Sequence, residues 1–258
     1  MLDGRADERG VAAETRQMLG MQQLCPHGIS EQWLLAACGD IHWTLIASAL
    51  GQDGLRFRAE DGRPLYAAFC ATRLELAPTG ELLGQDLFIR SEIAGLGGAR
   101  TGSRHVFTVG GRIVGTLLML STFVTHDETG SNCRIVRARP DREGAFPAAG
   151  PDLTALAARA TDVSRGLRGH RMALDDTCRI EPCPALDFNA VGLLYFPSFS
   201  RLAETAAPGL SPIRMRELVY LGNLDAGEAV HIRRTGSETT IAREDGRIIA
   251  RAIEERAS

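Results

Sequence analysis

Asp187 and Asn189 stand just ahead of an apolar run holding Leu193, Leu194, Tyr195, Phe196 and Phe199, in the stretch ALDFNAVGLLYFPSFSRLAET, residues 185–205. The run predicts one apolar helix with an acid and an amide at its mouth. Capping accounts for both, because Asp and Asn side chains accept hydrogen bonds from the free N–H groups of a first helical turn. The pair equally suits chemistry. A helix start offers free N–H groups and a partial positive charge to an oxygen that becomes anionic, as a thioester carbonyl does on attack. Tyr66, in GRPLYAAF (62–69), follows a polar loop near the start of a predicted strand. With its ordinary pKa of about 10, a phenol is a poor nucleophile unless it is activated or meets an acyl donor as reactive as a thioester. The alternative is a strand tyrosine that keeps its hydroxyl in water. His42, in GDIHW (39–43), lies inside a predicted helix, where it serves as a general base or simply faces a polar neighbour. His27, His105 and His126 belong to no recognisable motif.

Composition narrows the chemistry further. All 29 basic residues are Arg. The missing lysine excludes a Schiff-base enzyme, pyridoxal chemistry of the usual kind and a Walker-type phosphate loop. A formal net charge of -3 speaks against nucleic acid as a partner. Cys25, Cys38, Cys70, Cys133, Cys178 and Cys183 form no CxxC pair, so free buried thiols are expected and no metal site. The opening MLDGRADERGVAAETRQ is charged and reads as a frayed end rather than a secretory signal. The longest apolar run, Ile113–Val124, reads as a buried strand, being too short for a membrane helix. A cytoplasmic protein with no membrane association is expected.

The elements that must position these residues come from a repeat. Cys25-Pro26 recurs as Cys183-Pro184, GQDLFIR (84–90) as GEAVHIR (227–233), and GRIVG (111–115) as GRIIA (246–250), in the same order. In the first copy, apolar residues at Trp33, Leu34, Ala37, Ile41, Leu45 and Ile46 predict a helix stopped by Gly51. Four strands follow, the last two joined through Gly110-Gly111. In the second copy the 185–205 helix precedes four strands, with Asp245-Gly246 as the last hairpin turn. A helix apolar on most sides must be wrapped, and a curved antiparallel sheet can wrap it. The predicted class is α+β, a double hot-dog of two tandem helix-wrapped antiparallel sheets. Its divisions are a frayed end at 1–17, a first unit at 18–139, a crossover with one helix at 140–169 and a second unit at 170–258. Such a chain already contains a dimer of units, so further association into a homodimer stays open. Hot-dog units place ligands at the seam between them.

Two resemblances follow from the quoted motifs. The DFN…LLYFPSF pattern resembles the Asp/Asn-containing entry to the central helix of hot-dog acyl-thioesterases. No histidine begins the H-x-x-x-G-x-x-x-x-P signature of double hot-dog dehydratases. GISEQWLLAACGDIHWTLIASALG, GRPLYAAF and LDFNAVGLLYFPSF, in this order, resemble the bifunctional acyltransferase/decarboxylase family of the leinamycin polyketide pathway, over about residues 18 to 258. That resemblance implies a double hot-dog that loads an acyl group from methylmalonyl-CoA onto a tyrosine, decarboxylates it and passes propionyl to an acyl carrier protein. It implies Tyr66 as that tyrosine, Tyr195 and Tyr220 being the only others. Asn189, Asp187 and His42 are the candidates for oxyanion and substrate contacts. No cofactor is implied beyond the coenzyme A thioester as substrate, and arginines are expected to dock the acidic carrier. A thioesterase in which Asp187 activates water is the alternative, and an acyl-binding protein without chemistry is a further one.

Overall fold

The computed structural model describes residues 3–6, 11–206 and 211–257. The chain opens with β1 (Asp3–Ala6), β2 (Ala12–Met18) and a short ribbon of β3 (Leu24–Cys25) and β4 (Gly28–Ile29). Helix α1 (Glu31–Ala49) follows, then β5 (Phe57–Arg58), β6 (Pro64–Leu76), β7 (Asp86–Gly95), β8 (Arg100–Val109) and β9 (Arg112–His126). A single turn at Asn132–Arg134 and β10 (Ile135–Arg137) lead to a crossover carrying α2 (Pro151–Gly166). The remainder comprises β11 (Cys178–Ile180), α3 (Pro184–Asp187), α4 (Phe196–Thr205), β12 (Ile213–Tyr220), β13 (Val230–Thr235), β14 (Glu238–Arg243) and β15 (Ile248–Arg256).

One antiparallel sheet runs β1-β2-β7-β8-β9-β6-β12-β15-β14-β13-β11, with β5 and β10 alongside. Around the β6–β12 junction the order is mirrored, so β7, β8 and β9 correspond to β13, β14 and β15. The echoed segments GQDLFIR and GEAVHIR thus fall at β7 and β13, and GRIVG and GRIIA at β9 and β15. The β8–β9 turn uses Gly110 and Gly111, both at positive φ, as a tight hairpin of this hand requires.

Helix α1 forms because Leu34, Leu35, Cys38, Ile41, Leu45 and Ile46 recur on one face and bury there. The Ser30 side chain caps it by accepting from the Trp33 N–H. This helix lies in a core shared with Leu87, Ile89, Phe107, Leu117 and Phe123 of β7–β9. Helix α4 buries Phe199 and Leu202 against Leu218, Ile232, Ile241 and Ile249 in the second half. The opposite face of the sheet is covered by α2, whose Leu153, Leu156 and Ala160 meet Ala71, Leu118, Leu120 and Val219. Gly39 lets the two central helices touch, since a Cβ there would meet Phe196 Cζ at 2.9 Å. A buried charge cluster ties the halves together. Arg216, 1% exposed, holds Glu31 at 2.6 Å, Glu254 at 2.6 Å and also Glu204.

Three expectations need correction. Residues 12–17, expected to fray, belong to β2, which pairs with β7 from Ala12 opposite Glu92 to Met18 opposite Asp86. Edge pairing, with Thr15 and Leu19 buried, supplies order that composition hides. Residues 1, 2 and 7–10 of that stretch lie outside the described residues. The 185–205 stretch is not one helix. It forms the one-turn α3, a closed loop and then α4, because Gly192 takes a positive φ of 81° and Phe188 bridges Leu194. The thiols are not all buried, since Cys25, Cys178 and Cys183 are exposed, lying at the short elements β3, β11 and α3. Ile113–Val124 lies within β9, and no helix among the described residues is long and apolar enough to cross a membrane.

Candidate active site

The continuous sheet is interrupted at its middle. β12 pairs β6 from Met215 opposite Glu75 to Val219 opposite Ala71, and no further. At this point β6 carries a bulge between Phe69 and Ala71, which changes which side chains face α1. Beyond it β6 still pairs with β9 on one edge, while its other edge from Tyr66 to Cys70 has lost β12. The Trp43 indole covers one exposed carbonyl there, donating to Ala67 O at 2.9 Å. A cavity of about 740 Å³ opens at this seam. Trp43, Phe57, Phe69, Phe196 and Phe199 wall it on the helix side, Leu120, Ala157, Ala160 and Val219 on the α2 side, and Asn189, Val191 and Leu193 at the loop. Among the described residues no aspartate, glutamate or histidine lines it.

Tyr66 lines this cavity, half-buried, on the interrupted edge. Leu65, Ala67 and Phe69 bury toward α1, so alternation turns Tyr66, Ala68 and Cys70 to the α2 side. The Tyr66 ring meets His126 edge to face, centroids 5.6 Å apart. His126 Nε2 lies 2.9 Å from Asn132 Oδ1. Asn132 Nδ2 donates to Gly192 O at 2.6 Å and to Leu224 O at 3.0 Å, which fixes Oδ1 as the acceptor. The proton of a neutral His126 therefore sits on Nε2, leaving Nδ1 as the basic nitrogen. Asn132 in this way connects His126 of the first half to the 188–195 loop of the second.

The four expected site residues part company. Asp187 is 1% exposed and lies outside the cavity wall. Its carboxylate accepts from Arg201 Nε at 2.8 Å, Arg201 Nη2 at 2.7 Å and Cys183 N at 2.8 Å. Its carbonyl accepts from Tyr195 N and from the Ser198 hydroxyl, so Asp187 is the knot joining α3 to α4. Asn189 does line the cavity, but it does not cap α4, whose capping position is Tyr195 with no side-chain bond. Asn189 Oδ1 instead accepts from Val191 N at 3.1 Å and Leu193 N at 3.0 Å, which shapes the loop. Its Nδ2 makes no hydrogen bond among the described residues.

His42 is fully buried behind Phe69, with ring centroids 5.0 Å apart, and it does not reach the cavity. Its Nδ1 pairs with Ser103 Oγ at 2.7 Å and its Nε2 with Ser121 Oγ at 2.8 Å. The chain of bonds continues from Ser103 to His105 and Ser91, and from Ser121 to Thr101. Burial, with His105 adding to it, holds His42 well below the usual imidazole range, and burial pushes His105 down to about 3. Both rings are neutral. His42 is thus a satisfied core histidine, not a substrate contact.

Sequence reasoning missed several cavity residues. Tyr195 and Tyr220 both line it, and burial pushes both phenols up, so neither ionises readily. Tyr220 is further engaged with Thr72 Oγ1 at 3.1 Å. Arg100, Arg137, Arg165 and Arg168 line the α2 end. They come from β8, β10 and the end of α2, and no motif links them. The thiol of Cys133 lies beside Asp225 and Glu228, but these acids are already engaged by Ser131, Asn132 and Arg243. That cluster joins the turn after β9 to the loop after β12.

No protein-family model matches the chain, and no curated protein matches its sequence. Solved structures do match in fold. An acyl-ACP thioesterase from Bacteroides thetaiotaomicron superposes with a TM-score of 0.67 at 9% identity, covering 97% of this chain and 100% of that one. A 12:0-ACP thioesterase from Umbellularia californica gives 0.65 at 12% identity, covering 95% of this chain and 93% of that one. An oleoyl thioesterase from Lactobacillus plantarum gives 0.61 at 11% identity, covering 95% and 96%. The shared architecture is the mixed helix and large antiparallel sheet of hot-dog thioesterase folds.

Proposed function

We propose that this chain is an enzyme acting on acyl thioesters, with the reacting carbonyl held at the interrupted edge of β6. The mirrored strand order and the echoes at matching strands support reading it as two hot-dog units fused in one chain. The observation that carries the functional reading is the seam cavity itself. It is apolar, large enough for an acyl chain and its carrying arm, and holds Tyr66 on its wall beside His126.

Two fates of the acyl group are open to such a site. In transfer, Tyr66 Oη attacks the thioester carbonyl while its proton passes to Nδ1 of His126. Collapse of the tetrahedral oxyanion breaks the C–S bond, and the thiolate takes that proton back. The free Nδ2 of Asn189 is the donor suited to the oxyanion, since at the start of α4 Tyr195 N and Ser198 N are already bonded and Pro197 has no N–H. If the acyl group is methylmalonyl, its C–C bond to the carboxylate breaks, CO2 leaves, and the enolate formed takes a proton to give propionyl. Apolar walls favour expelling a charged carboxylate as neutral CO2. The thiol of a carrier protein then attacks the acyl-tyrosine, releasing the phenol.

Hydrolysis is the second reading, favoured by the thioesterases whose fold this chain matches. Against it stands the position of Asp187, whose carboxylate is occupied by Arg201 and Cys183 and cannot activate water. Hydrolysis here would run through His126 with the Tyr66 hydroxyl between it and the water, since His126 does not itself line the cavity.

Incubation with methylmalonyl-CoA and a holo acyl carrier protein, followed by intact mass of both proteins, separates these outcomes. Transfer gives an acyl adduct on the enzyme that Tyr66→Phe abolishes, and an acylated carrier. Hydrolysis gives free acid and no adduct. Absence of any thioester turnover, across short and long acyl chains, would refute the enzyme reading.

A further inference from the structure

We propose that Arg100, Arg137 and Arg168 form a phosphate-binding mouth for the pantetheine arm that carries the acyl thioester. The proposal rests on the thioester reading of the cavity. A pantetheine arm is uncharged along its amides and ends in phosphate whether it belongs to coenzyme A or to a carrier protein. A seam cavity receiving it therefore needs cations at one end only, and this cavity has them at one end only. The three arginines come from β8, β10 and the segment after α2, and converge on the α2 end. Arg165, beside them, is paired with Asp162. No acid lines the cavity among the described residues, and none of the three is ion-paired there.

The convergence has independent support. Arg100, Arg137 and Cys70 line the same wall, and both guanidinium groups favour the thiolate of Cys70, whose thiol burial pushes up. Thr161 Oγ1 donates to Ala157 O at 2.8 Å and accepts from Arg100 Nη1 at 3.4 Å, which holds Arg100 toward the cavity. Ser164, also in the wall, adds an exposed hydroxyl. Arg137 and Arg168 are exposed and Arg100 is half-buried. Water-facing forks of this kind suit a phosphate, which stays partly hydrated and accepts through several oxygens, better than they suit a buried acyl carboxylate. Tyr66 and Cys70 point to this same side of the sheet. An arm anchored by phosphate at the rim would run along the interrupted edge and deliver its thioester to Tyr66.

The test is calorimetric titration of the intact protein with coenzyme A, 4′-phosphopantetheine and pantetheine at low salt. Two or three partly exposed charge contacts are worth about tenfold in affinity. Both phosphorylated probes should bind about tenfold tighter than pantetheine, and 0.5 M salt should erase the difference. In Arg100→Gln/Arg137→Gln the three probes should bind alike, at the affinity of pantetheine for wild type. Arg168→Glu, a fully exposed change that folding tolerates, should give the same levelling. Coenzyme A binding tighter than 4′-phosphopantetheine would assign the nucleotide phosphates to this mouth as well. Equal affinities would assign the single phosphate that a carrier's arm shares. Equal binding of pantetheine and the phosphorylated probes by wild type, or a phosphate preference that survives the arginine changes, overturns the proposal. Thioester turnover measured alongside keeps the two readings apart. Turnover without phosphate preference removes this mouth alone, whereas phosphate preference without turnover removes the enzyme reading.

Discussion

The acid that sequence places at the mouth of a helix is, in the folded chain, one half of an enclosed ion pair, and this gives Asp187→Ala a definite consequence. The substitution removes three hydrogen bonds to a carboxylate that is 2% exposed, from Arg201 Nε, Arg201 Nη2 and Cys183 N. Breaking one side of a buried pair costs about 3–5 kcal/mol. The Arg201 side chain retains 34% exposure and can turn to water, so the lower end applies, about 3 kcal/mol. For a chain of this size each kcal/mol lowers the midpoint by about 2–4 °C, giving a fall of roughly 6–12 °C by scanning calorimetry. Arg201→Met alone should cost more, because it strands the carboxylate, and the double variant should cost about 2 kcal/mol less than the sum of the singles. Activity per folded molecule, measured well below the midpoint, should stay within a few-fold of wild type. An unchanged midpoint together with abolished turnover would refute this account and return Asp187 to the chemistry.

Other outcomes follow from the same geometry. Asn189→Asp keeps the acceptor for Val191 and Leu193 but removes the Nδ2 donor, so turnover should fall about 10²- to 10³-fold with little change in melting; Asn189→Ala, which also loses the loop bonds, should lower both. His105, held neutral with its pKa near 3, binds fewer protons folded than unfolded below about pH 6.5, so its contribution is complete above that pH and is lost as pH falls toward 3. At pH 5 the loss is about 2 kcal/mol from this ring, and urea titrations at pH 7 and 5 should show a difference smaller by that amount in His105→Gln. Arg216→Met strands Glu31, while Glu204 keeps Arg256 and Glu254 keeps Arg256 and Arg234, so it should cost about 3 kcal/mol or more in denaturant titrations, with Arg216→Lys no real rescue, since one ammonium cannot fork to three carboxylates.

The strands were legible because their signals are local. Alternation and the Gly110-Gly111 and Asp245-Gly246 turns mark β8, β9, β14 and β15, and the apolar period marks α1. The duplication was legible in part. Two of the three echoes, GQDLFIR with GEAVHIR and GRIVG with GRIIA, fall at strands that hold mirrored places in the sheet, whereas Cys25-Pro26 ends β3 and Cys183-Pro184 opens α3. What misled was apolar composition in 185–205, which is equally compatible with a helix and with a buried loop. Gly192 and Pro197 were the signals of a break, and Asn189 next to Val191 and Leu193 fits a side-chain-stapled turn better than a cap. The partner of Asp187 lies fourteen positions on and reaches it only because α3 and α4 fold back on each other. His42 reads from sequence as a base because nothing there announces Ser103 and Ser121 at its two nitrogens.

The location of the site follows from the sheet rather than from any one motif. Between its outer strands β1 and β11, an antiparallel sheet of this order pairs its strand edges except where two neighbours part. β6 and β12 part at the Phe69–Ala71 bulge, and the strand edge beyond it must be covered by something other than β12. Trp43 covers Ala67 O, and the 188–195 loop, tied down by the Asp187 carbonyl and the Asn132 side chain, closes over the gap. First-half groups that meet the gap, Tyr66, Arg100 and Arg137 among them, therefore face a second-half loop whose shape depends on Asn132 and on the Asp187 carbonyl. Asn132→Ala, which both loosens the loop and frees His126 Nε2, should lower turnover. Restoration by Asn132→Gln is not expected, because the longer side chain cannot reach Gly192 O, Leu224 O and His126 together. A Tyr66→Phe enzyme with its loop intact should still bind the carrying arm normally, and that difference separates the group that reacts from the residues that hold its surroundings in place.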